Sequence, residues 1–285
     1  MRFLKKLFKI LGIIFLILLV SFTILINVFF KPKSDQTIQE SFNESNIKVY
    51  IDYKKFEGNR TRIISTRKEV DTSLPNLIFV HGSPGSAMDY EKYLKDDELH
   101  KRANIFAYDR TGYGEENVGE ITTIATEIEL LNSITDSLGV SKTVLVGYSY
   151  GGPIALGSKR LYKKIVLPAP AVYSEVEPMF WALNFYKWRV TRWLMPKLLQ
   201  AASKEKLQHQ EDLRKHQEDW GNNLSEVYAI HGNKDWIVPI GNSEFIEKQF
   251  NDECFEILVL EEAGHDLIWS RYEEIKNELI KVLEE

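Results

Sequence analysis

The sequence predicts an α/β fold: a doubly wound, mostly parallel eight-stranded sheet flanked by helices, with one helical insertion and an N-terminal transmembrane helix. Three observations predict it. Eight short strand-like runs are spaced through residues 46–285, most of them separated by helical stretches, and continuous apolar runs suit parallel strands covered on both faces. One stretch, 168–223, breaks that alternation and carries no strand pattern. Residues 10–30 pass 21 positions without a charge, where about 20 suffice for a helix to cross the hydrocarbon core of a bilayer.

Composition sets the outer limits. At 44% hydrophobic and 27% charged residues over 285 positions, the chain is ordinary globular material rather than a disordered or fibrous one. One cysteine, Cys254, rules out an internal disulfide framework and a Cys-rich zinc site. Its place beside an apolar run reads as a buried strand position. Residues 1–33 hold six basic residues and no acidic one, leaving 30 basic against 41 acidic residues and a net charge of −11 for the remainder. A body of that sign repels phosphate backbones and argues against nucleic acid as a partner.

Taken from the N-terminus, residues 1–33 read as a basic tip and a bilayer span through 10–30. Gly12, Ser21, Thr23 and Asn27 interrupt the apolar run mildly, which an internally hydrogen-bonded helix tolerates. The exit, Asn27-Val28-Phe29-Phe30-Lys31-Pro32, lacks the small-residue pattern of a cleavage site, and the run exceeds the about 7–15 residues of a signal peptide. An uncleaved anchor is therefore expected, with secretion after cleavage as the alternative. Four basic side chains precede the span and two follow it, so the positive-inside rule places the N-terminus in the cytoplasm and the body outside it.

Residues 34–45 are polar and read as a linker to a domain covering 46–285. Runs 46–53 and 60–66 flank the turn Glu57-Gly58-Asn59 and predict a hairpin. Runs 76–80, 104–108, 142–146, 163–167, 226–230 and 255–260 predict the remaining strands, with helices over 122–138, 151–159, 242–250 and 267–283. A structureless loop as long as 168–223 is improbable in a compact domain, so it reads as a helical cap. Its first half interleaves Trp181, Phe185, Trp188 and Trp193 with Lys187, Arg189 and Arg192. Trp181, Phe185 and Trp188 are candidates for an apolar substrate pocket. The mixing of aromatic and basic positions, rather than their segregation to two faces, argues against the cap lying on a membrane.

The chemistry centres on Gly147-Tyr148-Ser149-Tyr150-Gly151, a G-x-S-x-G pattern between a strand and a helix. The bare pattern is weak. Its context predicts a turn too sharp for larger side chains, presenting the Ser149 hydroxyl beyond the sheet edge. A serine hydroxyl needs a base, usually a histidine oriented by an acid. Of six histidines, His100, His209 and His216 lie in charged stretches and read as surface residues, while His81 and His231 end strands and read as turn-shaping. His265 follows the last apolar run, and Asp235 follows the seventh. Both face the carboxyl edge where Ser149 lies, in the chain order serine, acid, histidine.

At these residues the chain resembles the α/β-hydrolase fold superfamily of serine hydrolases, over residues 46–285. His81-Gly82-Ser83-Pro84-Gly85 is similar to its H-G-x-P-G loop, which implies the Ser83 and Tyr150 N–H groups as oxyanion-hole donors. Asp109-Arg110-Thr111-Gly112-Tyr113-Gly114 matches its D-x-x-G-x-G turn, structural in the family. The insertion falls where these enzymes carry a cap, and Glu175 lies near the position used for the acid in some members, an alternative to Asp235. Haloalkane dehalogenases and epoxide hydrolases use an aspartate where this chain has Ser149. Proline iminopeptidases usually carry a second glycine where it has Ser83. The resemblance implies cleavage of a small-molecule ester or amide through an acyl-enzyme, without metal or organic cofactor. An aminopeptidase, acyltransferase or perhydrolase would use the same three side chains, and a non-catalytic binding protein would be expected to have lost one.

Overall fold

The computed structural model describes residues 1–285, the side chain of Arg2 excepted. Helix α1 (Arg2–Phe29) contains a 27-residue stretch, Phe3–Phe29, long and apolar enough to cross a membrane. The segment expected to be a linker is instead a second helix, α2 (Asp35–Glu44). Ser34 caps it by accepting the Thr37 N–H at 3.2 Å, and Ile38 and Phe42, one turn apart, are fully buried. Two apolar positions among eight polar ones give too little periodicity to signal a helix, yet both dock into the core.

Strands β1 (Tyr50–Phe56) and β2 (Asn59–Ser65) form the expected hairpin. Its two-residue turn, Glu57-Gly58, has positive φ at both positions, 46° and 82°, as a type I′ turn requires. After β3 (Asn76–Val80) come two short helices, α3 (Glu91–Leu94) and α4 (Asp97–Arg102). Then β4 (Asn104–Tyr108), α5 (Ile124–Thr135), β5 (Thr143–Gly147), α6 (Gly151–Gly157) and β6 (Lys164–Pro168) alternate. The cap contributes the one-turn helices α7 (Asn184–Lys187) and α8 (Arg189–Arg192) and the long α9 (Lys197–Arg214). The chain closes with β7 (Val227–Gly232), α10 (Gly241–Glu247), β8 (Phe255–Leu260), α11 (Leu267–Ser270) and α12 (Tyr272–Glu284). The single terminal helix expected over 267–283 is thus divided at Arg271.

The eight strands lie in the order β1-β2-β4-β3-β5-β6-β7-β8, with β1, β2 and β4 paired antiparallel and the rest parallel. Strand residues alternate between two cores, as a two-residue period demands. Leu77, Phe79, Val144 and Val146 face α12 and α2; Ile78, Val80 and Leu145 face α5 and α6. Because β3, β5, β7 and β8 run parallel, the loops after them share one edge of the sheet. Cys254 is exposed in the turn before β8, not buried in the strand as expected: the ladder begins one residue later, at Phe255.

Candidate functional site

The loop between β5 and α6 forms the predicted elbow. Ser149 has φ +52°, a left-handed conformation that is costly for a non-glycine residue. Its N–H donates to the Pro168 carbonyl at 3.1 Å, and its carbonyl accepts from Gly152 and Ala171. Side chains are excluded on either side of it. A Cβ on Gly147 would lie 2.7 Å from the Ala155 Cβ, and one on Gly151 would run into the Val80 carbonyl.

The structure brings the three separated side chains together. His265 Nε2 lies 3.0 Å from Ser149 Oγ, and His265 Nδ1 lies 2.7 Å from Asp235 Oδ2. Asp235 Oδ1 accepts the N–H groups of Ile237 at 3.0 Å and Val238 at 2.8 Å, so both carboxylate oxygens are fixed. The imidazole is held as well: the Tyr148 ring stacks on it at 5.1 Å, and the Tyr148 hydroxyl donates to the His265 carbonyl at 2.7 Å. Glu175, the alternative acid, is exposed and pairs with Arg214.

Ser83 and Tyr150 flank the same serine from β3 and from the elbow. Among the described residues neither amide donates to a protein acceptor, which leaves both N–H groups free for a ligand. The Ser83 loop is braced from beneath. His81 is fully buried, and burial with the nearby Arg110 charge drives its pKa well below the usual imidazole range. Neutral, it donates from Nδ1 to the Gly82 carbonyl at 2.7 Å and accepts the Arg110 N–H at Nε2 at 2.9 Å. The buried Arg110 guanidinium donates to the His81 and Gly82 carbonyls at 3.0 Å each and to both oxygens of Glu205, at 3.0 and 3.1 Å. Tyr113 donates to Glu205 at 2.5 Å and accepts the Ser83 hydroxyl at 2.7 Å.

Glu205 belongs to the cap helix α9. One face of it is buried: Glu205, His209 and Asp212, at four- and three-residue steps. The charged stretch around His209 reads as surface, but the residue is 2% exposed and packs at a tilt on the Tyr150 ring, with centroids 4.6 Å apart. Burial drives its pKa down to about 3, so it is neutral, with Nε2 donating to the Ala171 carbonyl at 3.1 Å. The buried side of α9 combines Leu198, Ala201 and Leu213 with these polar side chains, whose burial hydrophobic patterning does not register. His100 and His216 are half-buried. His231 is fully buried, donating to the Val238 carbonyl and accepting from Ser243.

A cavity of about 960 Å³ opens over Ser149 and His265, at the upper end of the roughly 300–1,000 Å³ usual for ligand pockets. Of the three aromatic residues expected to line it, only Phe185 does. Trp181 and Trp188 pack edge-to-face on Phe185 from outside, at 5.4 and 6.1 Å, and are 66% and 50% exposed. Phe180, Leu183, Leu194 and Met195 take their place in the wall. The buried Glu177 carboxylate also lines the cavity, paired with Lys206. Burial raises its pKa and Lys206 opposes the shift. Among the described residues no cluster of three or more His, Cys, Asp or Glu side chains is placed to hold a metal ion.

A mostly parallel eight-stranded sheet with such an elbow at its carboxyl edge defines a hydrolase of the α/β class. The Alpha/beta hydrolase family model matches residues 77–278, and the chain belongs to that family. It is 34% identical over 109 residues to a proline iminopeptidase of Lactobacillus helveticus, a match spanning 35% of each chain. Among solved structures, a bacterial membrane phospholipase A superposes with a TM-score of 0.64 at 16% identity, covering 99% of this chain and 98% of the other. An esterase from Exiguobacterium antarcticum gives 0.61 at 20% identity, over 79% and 97%. These last two likenesses are of fold.

Proposed function

We propose that the protein is a membrane-anchored serine hydrolase that cleaves carboxylic esters through an acyl-enzyme on Ser149. The observation that carries this reading is the continuous hydrogen-bonded line from Ser149 Oγ through His265 to Asp235. Ser149 Oγ attacks the ester carbonyl as His265 Nε2 takes its proton, and Asp235 holds the imidazole in the tautomer that can accept it. The Ser83 and Tyr150 N–H groups stabilise the oxyanion, each donor being worth about 2.7–4 kcal/mol of barrier. The departing alkoxide receives the proton from His265. A water deprotonated by the same imidazole then attacks the acyl-serine carbonyl, releasing the carboxylic acid and restoring Ser149. In this reading α1 spans the bilayer once with its basic end in the cytoplasm and the hydrolase body outside, as the flanking charges favour.

Fluorophosphonate labelling of the full chain tests the nucleophile. Ser149→Ala abolishes both labelling and p-nitrophenyl ester turnover; full labelling of that variant refutes the assignment. One observation favours aminopeptidase activity as the second reading. The buried Glu177 has one oxygen, Oε1, without a hydrogen-bond partner among the described residues, an acceptor suited to a substrate ammonium. Pairing of its other oxygen with Lys206 and the apolar wall favour the ester. Turnover of aminoacyl arylamides in preference to p-nitrophenyl esters would reverse the order.

A further inference from the structure

Helix α1 is joined to the hydrolase body without a free tether. Phe30, directly after α1, packs with Tyr113, Leu198 and Ala201. The buried Arg62 then binds the Lys33 carbonyl at 2.8 Å, Asp35 at 3.0 Å and Asp109 at 2.8 Å, pinning the start of α2 to the sheet. Within α1, Leu19, Thr23 and Ile26 are half-buried while their neighbours are exposed, so one face of the helix lies against the body. With Phe22, these residues form a wall of the cavity that contains Ser149 and His265. The Thr23 hydroxyl is spent on the Leu19 carbonyl at 2.8 Å, which leaves this wall apolar.

Depth follows from helix geometry. Leu19 to Phe30 rises about 16 Å at 1.5 Å per residue, about half of a hydrocarbon core ~30 Å thick. If residues 10–30 span the bilayer, this face lies in the leaflet on the side of the body, and the cavity opens there at hydrocarbon depth. The cap surface beside it fits that environment. Trp181, Trp188, Val190 and Trp193 are 66%, 50%, 78% and 72% exposed, interspersed with Lys187 and Arg189. Mixed aromatic and basic positions speak against membrane contact only along a continuous helix. α7 and α8 are single turns, so that periodicity does not govern which side chains share a surface. Tryptophan beside lysine and arginine suits the interface between hydrocarbon and headgroups.

We infer that the ester substrate is a bilayer lipid, whose long acyl chain passes laterally between α1 and the cap and whose ester carbonyl reaches Ser149. This deepens the proposed function and rests on its two parts, the Ser149 nucleophile and the span through 10–30. The test uses the full chain in phosphatidylcholine vesicles, with p-nitrophenyl palmitate dissolved in the bilayer and p-nitrophenyl acetate in water. Ile26→Trp and Thr23→Trp narrow the passage, and the ratio of palmitate to acetate turnover falls more than tenfold. Leu25→Trp, on the exposed side of α1, leaves the ratio unchanged. An unaltered ratio in Ile26→Trp and Thr23→Trp, with acetate still turned over, overturns lateral entry. Acetate turnover that survives Ser149→Ala sinks the hydrolase reading instead. An arm independent of activity uses Ser149→Ala protein in vesicles of brominated phosphatidylcholine. Tryptophan emission is quenched, and the quenched fraction drops when Trp181, Trp188 and Trp193 are replaced by phenylalanine; no quenching overturns the inference.

Discussion

Glu205→Leu is the most informative single substitution outside the site itself, because among the described residues it removes the only carboxylate bonded to the fully buried Arg110 guanidinium. Arg110 and Glu205 have side chains 0% and 1% exposed, and two parallel N–H···O bonds at 3.0 and 3.1 Å join them. Breaking a buried pair by deleting one partner costs about 3–5 kcal/mol, since the remaining charge is left uncompensated. The His81 and Gly82 carbonyls still accept from Arg110 but carry no net charge. At about 2–4 °C per kcal/mol for a chain of this size, the melting temperature of the detergent-solubilised chain falls by roughly 6–20 °C. The double variant Arg110→Met with Glu205→Leu replaces the pair by apolar groups and recovers much of the loss, as buried pairs replaced whole commonly do. Activity measured well below the transition also falls, mainly in kcat. Tyr113, deprived of its acceptor, no longer fixes the Ser83 hydroxyl, and the adjacent Ser83 N–H is the proposed oxyanion donor. A melting temperature within 2 °C of the native value, with kcat unchanged, would show that the cap carboxylate does not brace the oxyanion loop.

Asp235→Asn keeps the shape but lets the imidazole settle in the wrong tautomer, and kcat for p-nitrophenyl esters falls about 10⁴-fold, the scale of the same change in serine proteases; an unchanged kcat moves the acid role elsewhere. Gly151→Ala places a methyl against the Val80 carbonyl and yields a destabilised chain, read as a lowered denaturation midpoint with loss of fluorophosphonate labelling. Asp89 has its pKa raised to about 7, chiefly by burial, with the Ser86 N–H opposing and the Asp109 charge adding. A carboxyl whose folded pKa exceeds its unfolded value binds more protons when folded, so its contribution to stability is full at low pH and declines as pH rises from about 4 to about 7. Asp89→Asn removes that decline while keeping an acceptor for Ser86, and the stability difference between variant and native chains shifts in the variant's favour from pH 4.5 to pH 8; a difference independent of pH refutes the assignment.

What the sequence made legible is what local geometry forces on it. Gly147 and Gly151 are required by the closeness of the elbow to β3 and α6, Asp235 and His265 sit just past strand ends, and continuous apolar runs mark β3 and β5. Each constraint falls within a few residues and survives in the pattern. The features that the sequence does not show have the opposite property. Glu205 and His209 reach the site across the cap, and their burial depends on Arg110, Tyr113 and Tyr150, which are 55 or more positions away in sequence. The aromatic run at 181–193 showed that a large apolar surface existed but not which side of it faces the cavity. Phe185 reaches the cavity wall while Trp181 and Trp188 stay outside it, a division set by a series of single turns rather than by any repeat.

The contacts also explain why α1 and the reacting edge hold a fixed relation. Tyr113 packs on Phe30 at the exit of α1, and its hydroxyl sits between Ser83 and Glu205. Asp109, four residues earlier, accepts from Arg62, which grips Lys33 and Asp35, and from the Ala87 N–H at 2.9 Å, four residues beyond Ser83. The Asp109–Gly114 turn therefore touches Phe30 at the exit of α1, the loop carrying Ser83 and the cap helix α9, and is linked through Arg62 to the start of α2. Its conformation is tightly specified: Gly112 has φ +85°, and a Cβ there would meet the Glu120 backbone. Displacing α1 pulls Phe30 from its seat on Tyr113 and disturbs the same side chain that positions Ser83. A soluble fragment beginning after Phe30 exposes Tyr113, Leu198 and the α1-facing wall of the cavity to water, so its activity on short esters reports a perturbed site rather than the native one.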